Sequence, residues 1–96
     1  MGRRHYIMTY DISDDKRRTK VFNVLRDNGD HVQYSVFICQ LNKMELTSLR
    51  TSMLSYIDKR KDQILIIDLG SSQNPLEADI ECLGQRYEPP SRVTVV

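Results

Sequence analysis

The stretch His5–Tyr6–Ile7–Met8–Thr9–Tyr10–Asp11–Ile12–Ser13–Asp14–Asp15 decides the fold. Its first six residues are dense in aromatic and β-forming side chains and read as a strand. The pattern breaks at Asp11–Ile12–Ser13. Ser13 followed by Asp14 and Asp15 reads as a helix start. A serine cap satisfies a free backbone N–H, and early carboxylates suit the positive end of the helix dipole. Asp11 therefore directly follows a strand and precedes a helix cap, which predicts a carboxylate at a sheet rim, near solvent. An ordinary turn aspartate gives the same pattern.

Downstream of this stretch, Val21, Val24, Leu25 and Asn28 recur at helical spacing, with Lys16, Arg17, Lys20 and Arg26 mostly on other faces. Asn28–Gly29–Asp30 ends the helix, because Asn and Gly tolerate a left-handed cap. Residues 31–41 are rich in β-formers and long for one strand. They predict two strands with a tight turn near Gln33–Ser35, one bent strand being the alternative. Asn42 with Glu45 three residues on resembles a capping box. Leu46, Leu49, Met53, Leu54 and Ile57 form a helical stripe, with Lys59, Arg60 and Lys61 at its C-terminal end, where the dipole favours cations. Gln63 to Leu69 reads as a buried strand, and Gly70 to Gln73 as a polar loop.

Beyond Pro75 a short helical turn is expected over 76–83, stopped by Gly84. Pro89–Pro90 forces extended backbone, and Val93 to Val96 reads as a last short strand. The order βαββαβ predicts two helices on one face of an antiparallel four-stranded sheet, an α+β sandwich of the ferredoxin-like kind. The whole chain, 1–96, reads as a single domain, with 1–70 as its core and 71–96 as a C-terminal tail.

The bulk numbers fit one small domain of 96 residues. A chain of this size gains from a partner interface, and a second copy is the commonest source. Net charge is +1, from 14 Lys+Arg against 13 Asp+Glu, so bulk charge favours no partner. Its distribution is uneven. Arg3, Arg4, Lys16, Arg17, Arg18 and Lys20 place six cations in the first twenty residues, and Lys59–Lys61 form a second cluster. Such faces bind phosphates even on a near-neutral protein; solvated helix faces look the same. We expect Lys16, Arg17, Arg18 and Lys20 to contact nucleic-acid backbone.

Cys39 and Cys82 have neither zinc-site nor disulfide-framework spacing, and Cys39 sits in an apolar run as a buried hydrophobe. No apolar run nears the roughly 20 residues that span a membrane, and no apolar segment follows the N-terminal arginines. The expectation is a cytoplasmic protein with no membrane partner. His5 and His31 are single and far apart, and carry no catalytic assignment. Tyr6, Tyr34 and Phe37 have the chemistry to stack on bases, but strand aromatics usually serve a core or interface.

One carboxylate is a weak catalyst alone. Mg²⁺ is usually held by one or two carboxylates with water and substrate phosphate. A twofold axis that brought two copies of Asp11 together would supply the second, with a cation between them to relieve the repulsion.

Tyr10–Asp11–Ile12–Ser13–Asp14–Asp15 with Arg18 behind it, then Gly29, then Gln33–Tyr34–Ser35–Val36–Phe37, resembles the Cas-two family of CRISPR-associated proteins. Asp62 before an apolar strand, Leu83–Gly84 and a valine-rich end extend the likeness over nearly the whole chain. The resemblance implies a ferredoxin-like fold and a symmetric homodimer that is the central subunit between two integrase dimers in the spacer-acquisition complex. It implies metal-dependent endonuclease activity on RNA or DNA, with Asp11 as catalytic residue and Mg²⁺ ligand and with Tyr10, Ser35 and Phe37 as supporting positions. It also implies that the last strand adds to the partner's sheet beside 63–69. The sequence departs from the family at Ile38, where Glu is frequent, and at Lys20, where some members have Arg, which grips phosphate bidentately. Three other readings stand beside this one: a DNA-binding scaffold without catalysis, a toxin-like ribonuclease of the same fold, and a regulatory ferredoxin-like dimer. The last lacks a recognisable ligand loop.

Overall fold

The structure, a computed structural model, describes residues 2–71 and 81–85. Six elements follow in order: β1 (Arg4–Asp11), α1 (Asp15–Asn28), β2 (Asp30–Gln33), β3 (Val36–Leu41), α2 (Lys43–Tyr56) and β4 (Gln63–Ser71). The sheet order is β2-β3-β1-β4, and each neighbouring pair is antiparallel. β1 and β2 are therefore parallel with β3 between them, and β3 and β4 are parallel with β1 between them. Two interleaved β-α-β units of this kind make the expected ferredoxin-like sandwich.

Strand alternation separates the two faces of the sheet. Tyr6, Met8 and Tyr10 of β1 and Phe37, Cys39 and Leu41 of β3 turn to the helices and are buried. Val21 and Leu25 of α1 and Leu49 and Met53 of α2, each pair one helical turn apart, close over them. Full burial of a Leu, Met or Phe side chain contributes about 1.5–3 kcal/mol, so this layer holds the sandwich together. Leu54, expected in the α2 stripe, is 46% exposed instead. Its position, one past Met53, turns it away from the face shared by Leu49 and Met53.

Among the described residues, the other sheet face carries no helix. Ile38, Ile7 and Ile67 lie side by side across β3, β1 and β4, and Val36, Thr9 and Leu65 form the next row. Leu65, Ile67 and Leu69 are each nearly half exposed, so β4 is not the buried strand expected.

Local chemistry sets the ends of the elements. Asp14, rather than Ser13, is the N-cap of α1, its carboxylate accepting the Arg17 N–H at 2.9 Å. Both residue types cap well, so the sequence alone admits a slip of one position. The α2 capping box forms as expected. The Asn42 side chain accepts the Glu45 N–H at 2.8 Å, and Glu45 accepts the Asn42 N–H at 2.9 Å.

Residues 31–41 divide into a hairpin with Tyr34 and Ser35 at its tip, not one bent strand. β4 runs on through Gly70 and Ser71, part of the expected loop, with a register shift near its end that makes room for Leu69. Gly29 is not a left-handed cap: its φ of −165° is extended. A β-carbon there would come within 2.5 Å of Cys39 Sγ and 2.6 Å of the Ile38 carbonyl oxygen, so glycine is needed for space. Cys39 is fully buried, as expected.

Of the expected helical turn, residues 81–83 are not helical, and 76–80 lie outside the described residues. Pro89–Pro90 and the strand over Val93–Val96, with its place across a dimer, also lie outside them. Among the described residues no helix is long and apolar enough to cross a membrane.

Candidate nucleic-acid interface at the end of β1

Asp11 is the last residue of β1, exposed, and paired in register with Gln63 at the start of β4. Tyr10 and Ile12 on either side of it are buried in the helix-facing core, so alternation places Asp11 on the open face of the sheet. Among the described residues, no hydrogen bond or ion pair engages its carboxylate. Arg18 holds the loop behind it. One guanidinium nitrogen of Arg18 donates to the carbonyls of Ile12 and Ser13 at 3.1 and 3.2 Å, and another bonds the Asp15 carboxylate. This guanidinium, expected on phosphate, is engaged in fixing the β1–α1 turn.

Arg17 is engaged more fully. Its Nε and Nη2 grip the Asp62 carboxylate at 2.7 and 3.1 Å. The Asp62 side chain is completely buried and also accepts the Asp58 N–H at 2.8 Å. The Arg17 guanidinium beside Asp62 holds its carboxyl below the usual carboxylate range, with the Asp58 N–H adding to the effect. Of the four cations expected on nucleic acid, Lys16 and Lys20 are the two left pointing to solvent, the Lys20 ammonium lying 5.8 Å from the centre of the Tyr56 ring.

Lys59, Arg60 and Lys61 follow α2 rather than ending it. They sit in a turn bounded by Asp58 and Asp62. The Asp58 carbonyl accepts the Lys61 and Asp62 N–H groups at 3.0 and 2.8 Å, and its carboxylate accepts the Arg60 N–H at 2.9 Å. The three cationic side chains stay exposed. Because Asp62 precedes Gln63, the partner of Asp11, this basic turn and Asp11 share one end of the sheet. The part Asp58 and Asp62 play in shaping that turn is what sequence reasoning missed. The visible signal was a pair of aspartates bracketing three cations.

The supporting residues divide by burial. Tyr10 and Phe37 are core rings with centroids 6.4 Å apart, and burial pushes the Tyr10 hydroxyl up from its ordinary value. They shape the site from beneath. Ser35 sits in the hairpin turn, where its carbonyl accepts the Tyr10 N–H at 3.3 Å. His31, given no role from sequence, packs its ring on Phe37 at 4.8 Å and on Phe22 at 5.2 Å.

Among the described residues no cluster of three or more His, Cys, Asp or Glu side chains could hold a metal ion. A donor set of one carboxylate matches Mg²⁺, which keeps most of its water and takes few protein ligands, and not zinc, which requires three or four.

Known proteins are similar to this chain in sequence and fold. A family model described as CRISPR associated protein Cas2 matches residues 4–75, which contain every described element. A Rhodospirillum rubrum protein named CRISPR-associated endoribonuclease Cas2 1 is 33% identical over 91 residues, covering 95% of this chain and 88% of that one. A Thermus thermophilus protein named CRISPR-associated endonuclease Cas2 2 is 38% identical over 84 residues, covering 88% of this chain and 86% of that one. The crystal structure of Streptococcus pyogenes Cas2 superposes with a TM-score of 0.73 at 28% identity, covering 83% of this chain and 99% of that one. With the sandwich, the strand-end aspartate and a family match running from β1 past the end of β4, this chain belongs to the Cas2 family of CRISPR-associated proteins.

Proposed function

We propose that the chain acts as a homodimeric nucleic-acid-binding subunit of CRISPR spacer acquisition, docked to an integrase subunit, with Mg²⁺-dependent endonuclease activity on RNA or DNA. The observation that carries this reading is the exposed Asp11 carboxylate, without a bonding partner among the described residues, at the sheet end that also holds the basic turn 59–61. An unpaired carboxylate is available to a cation, and the exposed cations near it suit the phosphates on either side of a scissile bond. Lys16 and Lys20 extend the cationic surface along α1.

Asp11 would hold the Mg²⁺, together with water and a substrate phosphate. Bound there, the ion would neutralise charge developing on the phosphate. The chain's own residues do the rest. Arg18 fixes the turn that follows Asp11, Arg17 and Asp62 hold the basic turn at the same end, and the cations retain the strand. The half-exposed Leu65 and Ile67 on the sheet face opposite the helices support a homodimer, because apolar sheet surface of this kind favours a second copy over water. The relatives' names, one an endoribonuclease and one an endonuclease, support nuclease chemistry without choosing the nucleic acid.

A second reading, a binding scaffold without hydrolysis, is favoured by Asp11 being the one unbonded carboxylate that the described residues place at this sheet end. One experiment separates them: labelled single-stranded RNA and DNA are incubated with wild type and Asp11→Ala in Mg²⁺ and in EDTA. Cleavage by wild type alone, and only with Mg²⁺, supports the nuclease. Binding by both proteins without cleavage supports the scaffold.

A further inference from the structure

Tyr34 occupies the tip of the β2–β3 hairpin with 88% of its surface exposed. It is the one non-glycine residue with positive φ, at +42°, among those described. Two-residue hairpin tips favour Gly, Asn or Asp at such positions, because a bulky side chain is strained there. A tyrosine with no ring contact among the described residues gains nothing from packing to offset that strain. A bulky side chain kept at such a position without packing of its own points to function.

The tip is also built. A ring nitrogen of His31 bonds the Tyr34 carbonyl at 2.6 Å, and the His31 ring is itself fixed against Phe37 and Phe22. Its position completes the case. The β1–β3 register pairs Thr9 with Val36, and the Tyr10 N–H donates to the Ser35 carbonyl. These contacts put the β2–β3 hairpin tip at the same end of the sheet as Asp11, the last residue of β1.

We infer that Tyr34 is a stacking platform for an unpaired nucleobase at the sheet end that holds Asp11. An aromatic face accepts any base, and its exposed hydroxyl remains in water. The inference rests on the nucleic-acid reading above and adds to it the residue that contacts a base.

The test uses Tyr34→Gly, which removes the ring and relieves the turn, and Tyr34→Phe, which keeps the ring. Affinity for a labelled single-stranded oligonucleotide and for its duplex is measured by anisotropy, with thermal unfolding and sedimentation on each protein. Tyr34→Gly is expected to lose roughly 5- to 150-fold in single-strand affinity, the range for one stacked base. Its duplex affinity, dimer mass and melting temperature should be unchanged or, for the last, higher. Tyr34→Phe should retain wild-type binding. If Tyr34→Gly binds single strands as wild type does, stacking is overturned while the nucleic-acid reading stands. Conversion of the variant to monomer would overturn it in favour of a dimer contact. A wild-type protein that binds neither form would overturn both readings.

Discussion

Arg17 and Asp62, forty-five positions apart in sequence, meet in a two-pronged ion pair at 2.7 and 3.1 Å, with the Asp62 side chain fully buried. The pair ties the first turn of α1 to the strand that runs beside Asp11. Because Asp62 titrates below its ordinary value in the native state, the unfolded chain binds more protons around the carboxylate range. The stabilisation is therefore present above the unfolded carboxylate value, near about 4, and fades as pH falls through the native value. Asp62→Asn should lower the melting temperature at neutral pH and lose part of the acid-side fall in stability. Thermal unfolding from neutral to acid pH checks this. A constant gap between the two proteins at every pH would contradict it.

Gly29 and Cys39 fix how closely the end of α1 approaches β3. Gly29→Ala places a methyl group within 2.6 Å of the Ile38 carbonyl oxygen as well as against Cys39 Sγ. Overpacking of this kind costs about 1–3 kcal/mol. Removing the sulfur in Gly29→Ala/Cys39→Ala should recover little, because the clash with the carbonyl stays. Urea unfolding of the single and double variants measures both effects.

Asn42→Ala removes the side-chain half of the α2 capping box and should cost about 1 kcal/mol. Asn42→Ser should recover most of it. Glu45, held below its usual range by the Asn42 N–H and then by Arg3, keeps its half of the box in both variants. The same unfolding measurement ranks the three proteins.

Salt dependence separates the exposed cations from the engaged ones. Removing Lys16, Lys20 or one cation of the 59–61 turn should reduce the slope of log affinity against log salt by roughly 0.7–0.9 for each phosphate that is no longer neutralised. Arg17→Gln should lower stability and leave that slope unchanged, because its guanidinium is already occupied by Asp62. Titrations at several salt concentrations give the slopes.

Features carried by neighbours in sequence were legible before the structure. The Asn42–Glu45 box needs only a three-residue spacing. The hairpin at Tyr34–Ser35 follows from eleven β-prone residues being too long for one strand. The place of Asp11 between a strand and a helix cap put it at a rim. Features made by distant residues were not legible. The role of Gly29 depends on β3 passing behind it. The charge of Arg17 suggested phosphate, because nothing near it in sequence announced Asp62. Ser13 and Asp14 compete for one cap on nearly equal terms, so only backbone geometry separates them.

On the function proposed above, the Asp11 carboxylate carries metal-dependent chemistry rather than the fold. The most direct measurement is the cleavage rate of a labelled single-stranded RNA in Mg²⁺ by wild type and Asp11→Ala purified side by side, with unfolding curves for both. Asp11 is exposed and unbonded among the described residues, so its removal should shift stability by no more than about 0.5 kcal/mol. Wild type should cleave, and cleavage should fall to the protein-free background in Asp11→Ala, with superimposable unfolding curves. Equal cleavage by the two proteins, or loss of cleavage that tracks loss of folding, would contradict it.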